Sequence, residues 1–259
     1  MTTMSESTAA PRQLCRSQFD RTKAMALARD EYERFADAVV GLGADDWGRP
    51  TRCPAWDVRQ LTCHVIGMAE FAADQTEGDR QRALAGAAAA RPGGDFTEAL
   101  TALQVHERES WLPADVVANV RTAGQRAAAG RAATPAQILR AAMPAPFVVN
   151  GSPEWWSVGY LVDTILTRDV WMHRIDLCAA VGTPLTLSAD HDGVIVADVV
   201  DEWAQRHGRP FSLTLTGTAG GVFARGHGGD ELELDAIEFA TVASGRGTGT
   251  GLLATQVPF

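Results

Sequence analysis

The chain has 259 residues, of which 46% are hydrophobic and 21% charged, and this composition is typical of a globular protein rather than a disordered one. Its formal net charge of −9 argues against binding to nucleic acid or docking on anionic lipid, because both require basic surfaces. No apolar run reaches the roughly 20 residues of a membrane-spanning helix, and the N-terminus lacks the pattern of a secretory signal. We therefore expect a cytoplasmic protein whose four cysteines are free thiols.

The first part of the sequence carries a helical pattern. Residues 1–16 are small and polar, and we expect them to be disordered. Apolar side chains then recur at three- and four-residue steps from Phe19 to the glycines near position 41, which predicts a helix. Asp57 is placed to cap a second helix, whose apolar stripe runs over 58–72.

The next hundred residues continue this pattern. A helix end followed by a loop is expected at 78–94, which is rich in alanine, arginine and glycine. Further helices are predicted over 97–111, 113–128, 135–142 and 153–182. Several helices with short connections are typical of an antiparallel bundle, which we assign to residues 17–182.

The pattern changes after residue 182. One more helix is predicted at 189–205, followed by short runs of strand-forming residues between glycine turns. The predicted elements are strands at 211–217, 221–226 and 231–236, a helix at 236–244 and a final strand at 251–259. The predicted fold is therefore α+β and mainly α, with a small α/β domain at 183–259 after the helical bundle.

Two histidines stand out by position. His64 lies on the apolar face of the second predicted helix, where a buried packing residue is the ordinary interpretation. His173 follows Asp169 by four residues, so a helix places both side chains on one face. They would form either a surface ion pair or two ligands of a zinc, nickel or iron ion, with a third ligand from another helix.

Two further residues are candidates for a site. Asp176 lies three residues after His173 and could orient its imidazole ring, or form a salt bridge with Arg174 or another surface arginine. Arg246 stands in the glycine-rich stretch SGRGTG, where its guanidinium could bind a carboxylate through two parallel hydrogen bonds or remain solvated. The sequence has no P-loop, GxSxG, HExxH or EF-hand motif.

Three segments resemble one family. The segment DDWGRPTRCPAWDVRQLTCHV is similar to the first signature of the mycothiol-dependent maleylpyruvate isomerase family, and TRDVWMHRIDL is similar to its second. The tail from residue 231 resembles the family's C-terminal ending. The resemblance covers the chain from about residue 19 to its last residue.

The resemblance implies a DinB-like four-helix bundle followed by a small domain of the sterol-carrier type. It also implies a divalent cation, usually zinc, held by His64, Asp169 and His173, although the family has glutamate where this sequence has Asp169. Arg246 corresponds to an active-site arginine, and Asp176 would orient His173. Mycothiol would be a cosubstrate, so no cysteine of the chain is needed as the nucleophile.

Three functions follow as hypotheses. The first is a metal-dependent enzyme that uses a low-molecular-weight thiol, mycothiol by resemblance, for isomerisation or thiol transfer on a small carboxylate-bearing substrate. The second is a non-enzymatic DinB-like protein that binds a metal or another ligand. The third is a metal-assisted hydrolase in which water is the nucleophile.

Overall fold

The structure is a computed structural model that describes residues 13–259. Within this range the helices are α1 (Arg21–Val40), α2 (Val58–Ala73), α3 (Gln75–Ala89), α4 (Phe96–His106), α5 (Pro113–Ala133), α6 (Ala136–Arg140), α7 (Val158–Tyr160), α8 (Leu166–Val181), α9 (Val194–His207) and α10 (Ala236–Ala243). The strands are β1 (Leu14–Cys15), β2 (Phe147–Val149), β3 (Ser152–Trp156), β4 (Phe211–Thr216), β5 (Gly221–Arg225) and β6 (Asp230–Asp235). Short π-helical segments, Leu161–Ile165 and Ala189–Gly193, lead into α8 and α9.

Local sequence determines where several helices begin. Within residues 13–259, five helices start after an aspartate that accepts a hydrogen bond from the backbone N–H three residues later, namely Asp20, Asp57, Asp74, Asp95 and Asp235. Such a cap satisfies one of the N–H groups left unpaired at a helix start and contributes about 1 kcal/mol. At α2 the bond is reciprocal, because the Gln60 side chain accepts from the Asp57 N–H. The start of α2 is therefore well defined, and His64 lies less than two turns beyond it.

Helices α1, α2, α5 and α8 pack side by side as a four-helix bundle, and α3 and α4 form a pair that packs against α2. The core of the bundle consists of aromatic and branched side chains, among them Phe35, Val39, Leu61, Ile66, Val116, Val120, Val170 and Leu177. Burial of each such side chain contributes roughly 1.5–3 kcal/mol, so this core holds the helices that carry the candidate site in fixed positions.

Helix α8 is buried on two sides. Val170 and Leu177 belong to the bundle core, whereas Trp171 and Ile175 belong to a second core shared with the C-terminal part of the chain. Consecutive residues on a helix point about 100° apart, so a helix covered on both sides loses the simple apolar stripe of a surface helix. Helix α8 thereby joins the bundle to the C-terminal part.

The C-terminal part packs a three-stranded sheet against α9 and α10. Strand β4 is central, with β5 antiparallel on one side and β6 parallel on the other. Phe211, Leu213 and Leu215 alternate along β4 and are buried with Trp203 of α9 and Phe239 of α10. This alternation is the period-two pattern of a strand with one buried face.

The predicted α+β, mainly α fold is confirmed, and the elements expected at α1, α2, α5, α9, α10 and β4–β6 are present. The four cysteines are free thiols, as predicted: Cys15, Cys53, Cys63 and Cys178. Along residues 13–259, none of the helices combines the length and the apolar character needed to cross a bilayer.

Two predictions near the start of the chain and before α7 need correction. The predicted disorder of residues 1–16 is wrong for β1, which pairs in parallel with the end of β3, while residues 1–12 lie outside the described residues. The helix predicted at 153–182 begins later, because Ser152–Trp156 forms β3 between β1 and β2. Its start follows Ser157, whose side chain accepts a hydrogen bond from the Tyr160 N–H.

Two other segments differ from the prediction. Most of the segment 78–94 is helical, because α3 begins after its Asp74 cap and its many alanines favour a helix. The final strand predicted at 251–259 is wrong. The segment starts with a 3-10 turn, Gly251–Ala254, and forms hydrogen bonds to residues of α9 and α10 instead of joining the sheet. Its Val257 N–H donates to the Ala243 carbonyl, and the Leu252 carbonyl accepts from the Trp203 indole.

Gly130 allows α5 to approach α2 closely, and its replacement by alanine is expected to lower the free energy of unfolding by about 1–3 kcal/mol. A Cβ at Gly130 would lie 2.3 Å from the Ala73 carbonyl oxygen at the end of α2, so the two backbones would have to separate. Gly86 of α3 is the matched control, since a Cβ there meets nothing within 4 Å. Gly86→Ala is expected to raise stability by ~0.4–1 kcal/mol. Urea denaturation measures the free energy of unfolding of both variants. An equal gain in stability for Gly130→Ala and Gly86→Ala would contradict the close approach of α5 to α2 at Gly130.

Candidate metal site

Helices α2 and α8 bring together His64, Asp169 and His173. The His173 Nε2 atom lies 3.3 Å from Asp169 Oδ1, and the His64 Nε2 atom lies 3.9 Å from the same oxygen. One nitrogen or oxygen from each residue lies within 4.8 Å of the other two. The pair on α8 follows from the four-residue spacing, whereas the approach of His64 depends on the packing of α2 against α8. Two imidazoles and one carboxylate are thus gathered in one small volume.

The two histidines have little contact with solvent, the Asp169 side chain is 19% exposed, and no lysine or arginine among residues 13–259 forms an ion pair with this carboxylate. His64 and His173 are buried, with 2% and 3% of their surface exposed. Burial alone would raise the pKa of Asp169, but the charge of His173 and the proximity of His64 outweigh it and hold that pKa well below its usual range. Burial would likewise lower the pKa of His173, but Asp169 keeps it well above the ordinary value.

The donor set fits a divalent metal ion. Asp169 Oδ2 is buried and has no hydrogen-bond partner among residues 13–259, which is costly unless another ligand satisfies it. The outer ring nitrogen of His64, Nδ1, lies 2.8 Å from Gln104 Oε1, so its Nε2 is the nitrogen that faces Asp169. Imidazole nitrogen and carboxylate oxygen together suit zinc, nickel or iron.

Asp176 and Arg246 border the other side of His173. The Asp176 Oδ2 atom lies 3.5 Å from His173 Nδ1 and accepts a 2.8 Å hydrogen bond from Arg246 Nε. Burial opposes ionisation of Asp176, but the proximity of His173 and the charge of Arg246 lower its pKa. Arg174 points away from Asp176 and pairs with Glu31, so the predicted salt bridge with Arg174 is absent, whereas the predicted alternative of a salt bridge with another arginine is present in the Arg246 pair.

Arg246 lies at the rim of this group of residues and is not simply a solvated loop residue. Its backbone N–H donates to the Thr241 carbonyl at the end of α10, and the left-handed residue Gly245 (φ +79°) lets the chain turn there. Its side chain is 17% exposed. Within the described part of the chain, Nε is bonded to Asp176 while the two terminal NH2 groups have no acceptor, so they remain available to a carboxylate.

Sequence analysis did not single out two residues beside the site, Trp56 and Cys53. The Trp56 indole stacks on the His64 ring with centroids 4.7 Å apart and lies 6.0 Å from the His173 ring. Cys53 Sγ lies 3.7 Å from Asp176 Oδ2. Both residues belong to the CPAW stretch of the first signature segment, so their position in that motif was the signal that could have identified them.

A second cluster of possible ligands, Glu31, His191 and Asp192, is occupied by an arginine. Arg174 donates to both Glu31 oxygens, at 2.6 and 3.0 Å, and to Asp192 Oδ1 at 2.5 Å. His191 also bonds Glu31, at 2.7 Å. With the carboxylates already neutralised by a buried guanidinium, this cluster is an ion-pair network that links α1 and α8 to the segment before α9.

The fold and the side chains described so far define a class of protein: a four-helix bundle with possible metal ligands inside it, followed by a small α/β part. A family model of the mycothiol maleylpyruvate isomerase N-terminal domain matches residues 28–178, which is more than half of the chain and includes all three candidate ligands. The chain belongs to this family.

The fold also resembles solved structures over most of its length. Crystal structures of the mycothiol-dependent maleylpyruvate isomerase, and of a histidine-to-alanine mutant of it, each match with a TM-score of 0.56 and 15% sequence identity. Each match covers 89% of this chain and 91% of the other. The likeness therefore extends beyond the bundle into the C-terminal part, and at this identity it shows a shared fold. The comparison with curated proteins returned no match.

Proposed function

We propose that this protein is a metal-dependent enzyme that uses a low-molecular-weight thiol, mycothiol, for isomerisation or thiol transfer on a small carboxylate-bearing substrate. The observation that carries the proposal is the convergence of His64, Asp169 and His173, with a buried Asp169 oxygen that lacks a partner among the described residues. Family membership supports the thiol, since the family and the solved structures with this fold are named for a mycothiol-dependent maleylpyruvate isomerase.

His64, Asp169 and His173 would hold the cation, with zinc the first expectation and nickel or iron the alternatives. Such a cation lowers the pKa of a thiol that binds it, so that thiolate is present at neutral pH. The Asp176 carboxylate lies 3.5 Å from His173 Nδ1 and accepts a hydrogen bond from Arg246 Nε, so it would orient both side chains. Trp56 covers the His64 ring and keeps water from that side.

The terminal NH2 groups of Arg246 would bind the substrate carboxylate and stabilise negative charge that develops beside it. In isomerisation, the thiolate sulfur adds to one carbon of a double bond conjugated to a carbonyl, and the electron pair moves onto the carbonyl oxygen. The former double bond is now single and can rotate. Return of the electron pair expels the thiolate and leaves the trans product, whereas protonation of the adduct would give a thiol conjugate.

Zinc content and thiol dependence test the proposal together. The purified full chain is expected to hold about one zinc by elemental mass spectrometry and to isomerise maleylpyruvate only when mycothiol is present. His64→Ala should lose both properties. His106→Ala is the matched control, because that histidine is exposed and lies at the end of α4, outside the site.

Removal of the metal should also be visible without any substrate. At a free zinc concentration 100 times its Kd, bound metal stabilises the folded state by about 2.7 kcal/mol, so a chelator should lower the Tm by roughly 5–10 °C. Mycothiol should raise the Tm of the zinc-loaded protein and leave that of the metal-free protein unchanged. Turnover without thiol would instead support hydrolysis, and zinc without thiol binding would support a binding protein. A chain that holds no metal even after zinc is added would overturn the proposal.

A further inference from the structure

Two fully buried glutamines lie behind His64, on the side away from Asp169. Gln104 Oε1 is 2.8 Å from His64 Nδ1, and Gln104 Nε2 donates to Gln81 Oε1 at 2.9 Å. Gln81 Nε2 in turn donates to the Gly67 carbonyl at 3.1 Å. Neither glutamine has any exposed surface. These three hydrogen bonds form a chain. It starts at His64 Nδ1 on α2, passes through Gln104 of α4 and Gln81 of α3, and ends at the Gly67 carbonyl of α2.

The acceptors of Gln81 determine which group donates in each hydrogen bond of this chain. The Gly67 carbonyl can only accept, and Gln81 Nε2 also donates to a Glu77 carboxylate oxygen at 2.8 Å. Gln81 must therefore present its amide nitrogen there and its oxygen to Gln104. Gln104 must then present its nitrogen to Gln81 and its oxygen to His64. An oxygen at that position accepts a hydrogen bond, so His64 Nδ1 carries a proton, and in the neutral ring the lone pair is then on Nε2.

Gly67 makes room for this arrangement. It lies three residues after His64, on the same face of α2, where Gln104 crosses the helix. A Cβ at Gly67 would lie 2.6 Å from Gln104 Cβ and 2.7 Å from its Cγ. These atoms are close to the backbone of α4, so they cannot move aside by a simple rotation. Glycine at this position lets Gln104 reach the ring.

We propose that Gln104 is a positioning residue that fixes the tautomer of His64 and presents its Nε2 lone pair to the metal. Gln81 orients the Gln104 amide, and Gly67 leaves the space that the Gln104 side chain occupies. The inference deepens the proposed function and depends on its metal site. A hydrogen bond to the outer nitrogen of a ligating histidine holds the ring in place and makes it a better ligand. Loss of such a partner weakens metal binding by ~10–100-fold.

Zinc affinity of the full chain, measured by competition with a chromogenic chelator, tests the proposal. Gln104→Met keeps the size of the side chain but offers no oxygen, and it should weaken zinc binding about 10–100-fold. Gln104→Glu keeps an acceptor for Nδ1–H but loses the donor to Gln81 Oε1, so its zinc affinity should lie between those of the parent and Gln104→Met. Gly67→Ala should weaken zinc binding as Gln104→Met does. Alanine favours a helix over glycine, so this loss could not come from a weaker α2.

Thr62→Val is the matched control. Thr62 is also fully buried on α2, but its hydroxyl bonds only the Val58 carbonyl of its own helix. It should leave zinc affinity unchanged. A spectroscopic readout is independent of affinity: at saturating zinc, NMR of nitrogen-labelled histidine should show a His64 Nδ1–H proton protected from solvent exchange in the parent and in Gln104→Glu. In Gln104→Met that protection should be lost.

The outcomes separate this proposal from the proposed function. If His64→Ala loses zinc while Gln104→Met keeps parental affinity and the protected proton, the positioning role is overturned and the metal site stands. If His64→Ala keeps its zinc, both fail. Equal losses for Gln104→Met and Thr62→Val would attribute the effect to general disturbance of α2 and would also overturn the inference.

Discussion

Asp169→Asn is expected to reduce zinc affinity at least 100-fold and to abolish thiol-dependent turnover. The change keeps the side chain almost the same size but removes the only negative charge among the three candidate ligands. Removal of a residue that hydrogen-bonds to a metal ligand already lowers metal affinity ~10–100-fold, so removal of a charged ligand should lower it further. Competition with a chelator gives the affinity, and elemental mass spectrometry gives the zinc that remains after purification.

Two further variants sharpen this result. Asp169→Glu keeps a carboxylate at this position, and we expect it to retain zinc. Asp201→Asn removes the same charge from an exposed site on α9 and should change neither zinc content nor turnover. An Asp169→Asn protein that still purified with one zinc would show that the carboxylate is not a ligand, and the metal would have to be sought elsewhere.

Arg174→Met is expected to lower the free energy of unfolding by about 3–5 kcal/mol, enough to unfold a marginally stable protein. The guanidinium is 3% exposed and bonds Glu31 and Asp192, neither of which has any exposed surface. Its removal leaves two buried carboxylates without their shared cation. Urea denaturation measures the loss, provided that the parent and the variant have the same dependence on urea concentration.

A double variant distinguishes the ion pair from simple packing. Arg174→Met combined with Glu31→Met removes charges of both signs and should be less destabilising than Arg174→Met alone. Arg209→Met is the surface control, because that side chain is 60% exposed and its ion pair with Asp230 spans 3.6 Å. It should change stability by less than about 1 kcal/mol. An equally small loss for Arg174→Met would show that the buried network contributes little to stability.

Several features of the candidate site follow from sequence alone because they are local. The Asp57 cap and its Gln60 partner define the start of α2, and the apolar stripe that follows places His64 on the inner face. The four-residue spacing of Asp169 and His173 puts both on one face of α8. Each relation spans no more than about two turns of helix, where backbone geometry fixes which side chains are neighbours.

The predictions from sequence were wrong where the secondary-structure preference of a segment competes with tertiary packing. The run GLLATQVPF has the composition of a strand, but in the fold its backbone finds partners at Ala243 and Trp203, so it lies against helices. Leu14–Cys15 follow a polar stretch and still form a strand, because β3 offers an edge that residues 14–15 can pair with. A sequence shows the propensity of such segments but not which edge or helix is available to them.

The sequence by itself determined most of the helices, the Asp57 cap and the placement of Asp169 and His173 on one helix face. The tertiary structure decided everything that joins distant segments: the approach of His64, the Arg246–Asp176 bond across 70 residues and the Gln104 contact across 40. It also decided that Arg174, next to His173 in the chain, turns toward Glu31 instead of Asp176. Neighbouring residues on a helix point about 100° apart, and only packing determines which neighbour each of them meets.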